Sequence, residues 1–287
     1  MLVHHNSEPS NPTRVVILGA GGFVSGATQA KLEEAGITVL ALSRNDLDLT
    51  KAESSAELSS LLKPEDTLLF VSAKAPVKNE EMLIDNLLMA KTVCEAVKKS
   101  PVKHLIYISS DAVYADSEQK LTEESCAKPG SLHGIMHLAR EVMLANAFSG
   151  PMCILRPTLI FGTNDPHNGY GPNRFIRLAK ANTNIQLFGN GEEQRDHVWV
   201  EDVAQIIFLC ITMQSTGILN CATGEVVSFY KIAEKALAVT SSSSDIIPSP
   251  RVGMMPHNGY RPFDAANTYR AFPGFQYHTL LNMLEIL

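Results

Sequence analysis

Two sets of residues have types and spacings that can do chemistry. The first is Gly19-Ala-Gly-Gly22, which follows the uncharged run Val15-Val-Ile-Leu18 and opens a helical pattern from Phe23 to about Ala35. Glycines let a backbone turn tightly and approach a ligand closely. A helix start behind them, at Phe23 and Val24, offers free N–H groups and a positive dipole end to a phosphate. Strand, glycine turn and helix in that order point to a bound dinucleotide. The second set is His133, His137 and Glu141, four apart and so on one helix face. An imidazole titrates near neutrality and can exchange protons without help. The same spacing is able to hold zinc. Paired helical histidines also arise by chance, and a glycine-loop fold needs no metal, so none is expected.

These residues must be carried by a regular framework. Apolar runs at 37–42, 67–71, 104–108 and 152–155 read as buried strands, and patterns at 53–62, 80–99 and 131–148 read as helices. Strands alternating with helices specify an α/β fold with a parallel sheet covered on both faces. Ligands on such a sheet bind at the carboxyl ends of the strands, where the strand order reverses. Past Pro157 the rhythm changes. Residues 162–172 are a loop rich in Gly, Asn, Asp and Pro, followed by a helix from Asn173 to about Ala181, a strand at 185–188 and a charged segment. A helix at 203–213 and a strand at 218–221 read as the return to the main sheet, and 240–250 as a Ser/Pro-rich surface loop. The expected organisation is a loose N-terminal arm over 1–12 and a dinucleotide-binding domain over 13–160, with returns near 198–222. Residues 161–287 then form mainly a discontinuous substrate lobe.

Composition narrows the partners. The chain has 287 residues, 45% hydrophobic and 19% charged, as in an ordinary soluble globular protein. With 24 Lys and Arg against 30 Asp and Glu the net charge is −6, which leaves no basic stripe for a nucleic acid. No apolar run approaches the roughly 20 residues of a membrane span. The polar start lacks the apolar core of a signal peptide. The five cysteines have no paired or metal-like spacing. A cytoplasmic protein with reduced thiols, away from membranes, is the expectation.

Several segments in order resemble the extended short-chain dehydrogenase/reductase family, in its nucleotide-sugar epimerase, dehydratase and reductase group. Gly19-Ala-Gly-Gly22-Phe-Val-Ser-Gly26 is similar to that family's glycine loop, with Ser25 where the third glycine falls. Ile108-Ser-Ser-Asp-Ala-Val-Tyr-Ala115 is similar to its strand-end serine motif. Leu155-Arg-Pro157, Phe161-Gly162, Leu187-Phe-Gly-Asn-Gly191 and Arg195-Asp-His-Val-Trp-Val-Glu-Asp202 resemble its later landmarks. The resemblance covers about residues 14–264. It implies a Rossmann-type doubly wound sheet, a nicotinamide dinucleotide and a dimer formed through the helices at 80–99 and 131–148.

The second strand ends Ala41-Leu42-Ser43-Arg44, without a carboxylate until Asp46. Ser43 and Arg44 suit a 2′-phosphate, so NADP is expected ahead of NAD. The resemblance also sets Asp48 and Leu49 by the adenine, and Ala73 and Pro157 against the cofactor. Ser110 takes the position that holds the sugar oxygen. The family's Tyr and Lys, four apart, are replaced by His133 and His137. That replacement leaves three readings: His133 as acid/base with His137 on the cofactor ribose, a binding protein without turnover, or a metal site with Glu141. Asp111 resembles the acid of the dehydratase branch, but Ala112 replaces that branch's base. On the substrate side, Arg195 and Arg261 resemble diphosphate-binding arginines. Phe188 aligns beside the nucleotide base, with a core position as the alternative, and Asn173 aligns near the sugar or diphosphate. The expected function is epimerisation or keto reduction of a nucleoside-diphosphate sugar. A non-catalytic NADP(H)-binding sensor or scaffold is the alternative.

Overall fold

A computed structural model describes residues 2–287. Six parallel strands form its centre: β2 (Val15–Leu18), β3 (Val39–Leu42), β4 (Thr67–Phe70), β5 (His104–Ile108), β6 (Met152–Pro157) and β10 (Ser215–Cys221). A short antiparallel strand, β1 (Val3–His4), closes one edge, giving the order β1-β10-β6-β5-β4-β2-β3. Every residue of β2, β4 and β5 is buried, as strands covered on both faces require. Successive residues alternate between two cores. Ile17, Leu69, Ile106 and Leu155 pack on α1 (Phe23–Glu34) and α6 (Val200–Thr212) through Leu32, Val203 and Ile207. Val16, Leu68, Phe70 and Leu105 pack on α2 (Ser54–Leu61), α3 (Glu80–Lys99) and α4 (Leu132–Ala147) through Leu58, Val93 and Leu144. Each such side chain contributes about 1.5–3 kcal/mol on burial. The fold is the expected Rossmann-like α/β arrangement. The order reverses at β2, between β3 and β4, so a crevice opens there at the strand ends.

Residues after Pro157 build a second layer of small sheets. The strand β9 (Gln194–Trp199) pairs with β7 (Leu159–Phe161), β11 (Val226–Ser228) and β13 (Tyr260–Arg261), while β8 (Ile185–Phe188) pairs with β12 (Ile246–Ser249). Helices α5 (Pro172–Lys180), α7 (Phe229–Thr240) and α9 (Leu280–Met283) cover them around Phe175, Leu187, Trp199 and Ile232. The short α8 (Ala266–Ala271) leads to Phe272 and Phe275, which join the core of the main sheet.

Three expectations need correction. The N-terminal arm is not loose at its start, because β1 pairs with β10, Leu2 is buried, and His4 Nδ1 lies 2.8 Å from Ser215 Oγ. The stretch 240–250 is not wholly loop. Ile246–Ser249 forms β12, where Pro248 is tolerated because β12 is an edge strand. The charged segment after Gly191 is the central strand β9, and its Asp196 and His197 are buried. Among the described residues no helix is long and apolar enough to cross a membrane.

Candidate active site

A cleft of about 890 Å³ runs along the carboxyl ends of β2, β4, β5 and β6 and is roofed by the second layer. Its floor begins with the glycine loop. Gly19 N and Ala20 N both donate to Leu42 O, at 2.9 and 3.0 Å, which ties the loop to the end of β3. Gly19 has φ +104°, and a Cβ there would sit 2.8 Å from Ser72 N, so only glycine fits. Ser25 is buried, and its hydroxyl donates to Gly19 O at 2.6 Å and accepts from Gly22 N at 3.0 Å. The serine that replaces a glycine is thus a clasp inside the loop. Phe23 and Val24 open α1, and their N–H groups have no intrahelical acceptor.

Gly19, Gly21, Gly22, Phe23, Val24, Arg44, Asp48, Leu49, Ala73 and Pro157 all line this cleft. Ser43 does not. Its N–H and hydroxyl both donate to Asp46 Oδ2, at 2.9 and 2.6 Å, so it is tied to the turn after β3. Those bonds hold the Asp46 carboxyl below its usual range. Arg44 is largely exposed, with Nε 3.5 Å from Asp48 Oδ2.

The opposite wall is set by one close approach. Beyond β5 the chain makes a 3-10 turn at Asp111–Val113, and α4 packs on it at Gly134. A Cβ at Gly134 would meet Ala112 O at 2.1 Å. The missing side chain lets α4 pack close, and His133 and His137 line the same cleft as Ser110 and Asp111. Ser110 Oγ caps the turn by accepting from Ala112 N at 3.2 Å, and its proton points to Asp111 Oδ1 at 3.3 Å. Asp111 Oδ2 accepts from Arg261 Nε at 3.0 Å and lies 3.9 Å from Arg195. Asp111 is thus held between two guanidinium groups.

His133 is partly buried, and its Nδ1 is enclosed without a partner among the described residues. Burial pulls its pKa below the ordinary imidazole value, and Asp111 partly offsets this. His137 is buried more deeply, with Nδ1 2.8 Å from the Tyr107 hydroxyl. Burial pushes the Tyr107 phenol up to about 12, so the phenol keeps its proton, and Arg140, which can only donate, takes its oxygen as acceptor and leaves that proton for His137. His137 Nδ1 is therefore the acceptor, and Nε2 carries the ring proton. Burial, with His133 and Arg140 nearby, drives the His137 pKa well down, so the ring is neutral. Glu141 is not available to these histidines. Arg156 donates to it at 2.9 and 2.5 Å, and Ser109 Oγ at 2.5 Å. Among the described residues no three His, Cys, Asp or Glu side chains converge as a metal site.

On the substrate side, Arg195 lines both the cleft and an adjoining pocket walled by Tyr170, Phe188, Glu193 and Arg251. Its Nη1 lies 3.4 Å from Glu193 Oε1. Phe188 is 52% exposed, with its ring 4.7 Å from Tyr170, so the core alternative does not hold. Asn173 lines the cleft with its amide spent on Gly162: Oδ1 accepts from Gly162 N at 3.2 Å and Nδ2 donates to Gly162 O at 2.5 Å. Arg261 lines neither space. It is buried, and it donates to the Asp111 and Asp116 carboxylates at 3.0 Å each and to Asp111 O at 2.7 Å. It orders the turn, which corrects its expected contact with a diphosphate.

Tyr107, Tyr170, His197 and Arg251 were not singled out from sequence. A tyrosine inside an otherwise aliphatic strand was the available signal, because a buried hydroxyl needs a partner.

A model of the NAD dependent epimerase/dehydratase family matches residues 15–222. The chain belongs to this family. It is similar to GDP-L-fucose synthase of Sinorhizobium fredii, at 23% identity over 82% of each chain. It is also similar to an uncharacterized UDP-glucose epimerase, YtcB, of Bacillus subtilis, at 23% identity over 52% of this chain and 49% of that one. The chain thus spans about half the length of that second relative. Among solved structures, UDP-glucose 4-epimerase of Thermotoga maritima with UDP-glucose superposes with a TM-score of 0.84, at 20% identity over 95% of this chain and 96% of that one. MoeE5 in complex with UDP-glucose and NAD gives 0.81, at 22% identity over 94% and 96%. A GDP-L-fucose synthetase from Naegleria fowleri bound to NADP gives 0.80, at 18% identity over 98% and 94%.

Proposed function

We propose that this protein is a nicotinamide-dinucleotide-dependent enzyme acting on a nucleoside-diphosphate sugar, as an epimerase or keto-sugar reductase, with His133 as its acid/base. The observation that carries this reading is the position of His133. An imidazole whose pKa is lowered by burial lines the same cleft as Ser110, on a helix that the Gly134 contact holds against the Asp111–Val113 turn.

The cradle at Gly19, Gly21 and Gly22, with the N–H groups of Phe23 and Val24, fits a pyrophosphate. Asp48 and Leu49 would flank the adenosine, Ala73 and Pro157 the nicotinamide end. His137 Nε2–H would donate to the nicotinamide ribose. NADP is favoured ahead of NAD by Arg44 alone. The nicotinamide, when bound, takes up or returns a hydride. His133 takes the hydroxyl proton of the sugar as that bond is oxidised and gives it back on reduction. Ser110 turns its proton from the long contact with Asp111 to the sugar oxygen. Arg195 neutralises the diphosphate, and Phe188 with Tyr170 receives the base.

The competing reading is a dinucleotide-binding sensor without turnover. It draws on the commitment of Ser110 to its cap and of Asp111 to Arg261. We also propose a homodimer through α3 and α4 and a cytoplasmic setting, which suits five free cysteines.

His133→Phe distinguishes the readings. Turnover of a panel of UDP-, GDP- and dTDP-sugars, including 4-keto forms, read by mass spectrometry and sugar composition, falls by about 10²–10⁴. NADPH binding is unchanged. Retained turnover in this variant overturns the assignment, and a wild type that binds NADPH but converts none of these sugars favours the sensor.

A further inference from the structure

We propose that His197 sets the sugar specificity of the site: its Nε2 accepts a hydrogen bond from a sugar hydroxyl, so the cleft selects substrates that present a donor there. This rests on the nucleotide-sugar reading above.

His197 follows Arg195 by two residues on β9, so both side chains leave the same face of the strand, about 7 Å apart. Both line the cleft, but only Arg195 also reaches the adjoining pocket with Phe188. A ligand gripped by its diphosphate at Arg195, with its base toward Phe188, has its sugar on the His197 side.

The His197 ring is 2% exposed and stands edge-on to Phe161 and Phe229, with centroids 6.4 and 5.7 Å away. Its Nδ1 is 3.2 Å from Arg195 O, an acceptor only, so Nδ1 carries the proton and Nε2 a lone pair. Burial, with the Arg195 charge close by, pulls the pKa down to about 3, so the ring does not take a second proton near neutrality. Nε2 is enclosed and has no hydrogen-bond partner among the described residues. A buried acceptor left unpaired is costly and needs an explanation. Packing does not supply one, because a phenyl ring would fill this aromatic box without an orphan nitrogen. On one side of Nε2 lies Gly171, also a cleft residue. A Cβ there would sit 3.9 Å from Nε2, in ordinary van der Waals contact, so the nitrogen borders Gly171 backbone and no side chain of that residue.

The missing partner must donate. Phosphate oxygens, a keto oxygen and a carboxylate only accept, which leaves a hydroxyl as the commonest donor on a sugar. An acetamido N–H shares that chemistry, and the test separates the two. Away from water the bond is stronger than on the surface.

The full chain loaded with NADP+ is titrated calorimetrically with UDP, UDP-glucose and UDP-N-acetylglucosamine, and with the GDP and dTDP counterparts. His197→Phe keeps the ring and removes the acceptor. Its affinity for the parent nucleoside diphosphate stays as in the wild type, while affinity for the sugar nucleotide falls about 10- to 100-fold. His197→Gln, which restores an acceptor oxygen, recovers part of the loss. In the wild type, the ¹⁵N resonance of His197 Nε2 moves on adding the sugar nucleotide and stays still on adding the diphosphate. A shift with the acetamido sugar alone assigns the donor to the amide and overturns the hydroxyl. If the wild type gains affinity from the sugar but His197→Phe keeps all of it, the proposal on His197 fails alone. If no sugar adds affinity in the wild type, the function reading fails and this proposal with it.

Discussion

Two neutral histidines work in opposite senses in this cleft because different partners fix their protons. Tyr107 donates to His137 Nδ1, so His137 offers an N–H; Arg195 O takes the proton of His197 Nδ1, so His197 offers a lone pair. Tyr107→Phe removes one of these constraints. We expect the fold to survive, both His137 tautomers to appear in ¹⁵N spectra, and kcat/KM to fall about tenfold, the worth of one buried hydrogen bond. The pH profile carries a second expectation. The pKa of His133 is lowered, and as a base it must be neutral. Sugar oxidation should therefore be flat above the ordinary imidazole range and fall only as pH drops below about 6.5. A decline on the alkaline side instead would remove His133 as the base. His133, His137 and the glycines were legible in the sequence because their spacing is local. The partners of His137 and His197 were not. Tyr107 is 30 residues from His137, and the aromatic box comes from three separate strand and helix segments. Arg261 misled for the same reason: its type suits a diphosphate, but two aspartates brought in by folding already hold it.

At the level of elements, one contact governs the wall that carries His133. Gly134→Ala forces α4 off the Asp111–Val113 turn, since the new Cβ would fall 2.1 Å from Ala112 O. We expect a loss of about 1–3 kcal/mol in urea unfolding and a larger loss of turnover than of stability, because His133 moves with the helix. His104 ties β5 to β10 through Nε2 and Ser215 O, 2.8 Å apart. Burial pulls its pKa from the ordinary 6.5 down to about 4. The unfolded chain then binds the proton more readily than the folded one. His104's contribution is present above pH 6.5 and lost as pH falls toward 4. Wild type should lose about 3 kcal/mol more than His104→Gln across that window, measured by denaturant unfolding. Elements with local signals were readable. The strand at His104–Ile108 and the helix Glu80–Lys99, capped by Asn79 and followed by Pro101, match the sequence reading to the residue. The strand β12 was hidden because Ser and Pro dominate its surroundings and its pairing with β8 is about 60 residues away in sequence. Helix α7 went unread although Ser228 caps it and Phe229, Ile232, Ala233 and Ala236 give a helical stripe.

For the molecule as a whole, α3 and α4 pack side by side on one face of the sheet and leave Ile84, Leu88, Ile135 and Val142 exposed. Exposed apolar side chains on two neighbouring helices suit a second copy of the chain. Light scattering should give twice the mass of the 31.3 kDa chain, and the pair Leu88→Lys with Ile135→Lys should give the single mass with NADPH binding retained. A wild-type monomer would remove the dimer. The opposite rim of the sheet has a different fate, set by the short strand at Val3–His4. That strand occupies the outer edge of β10 at Ser215 and Thr216. Further along the same edge Asn220 N donates to Glu123 Oε1 at 2.9 Å, and Asn220 O accepts from Thr268 Oγ1 at 3.3 Å. A bare strand edge is a template on which other chains can add themselves. Two residues of backbone and two borrowed side chains keep this one from recruiting them, so a chain trimmed of residues 2–6 should bind NADPH and yet cloud on standing.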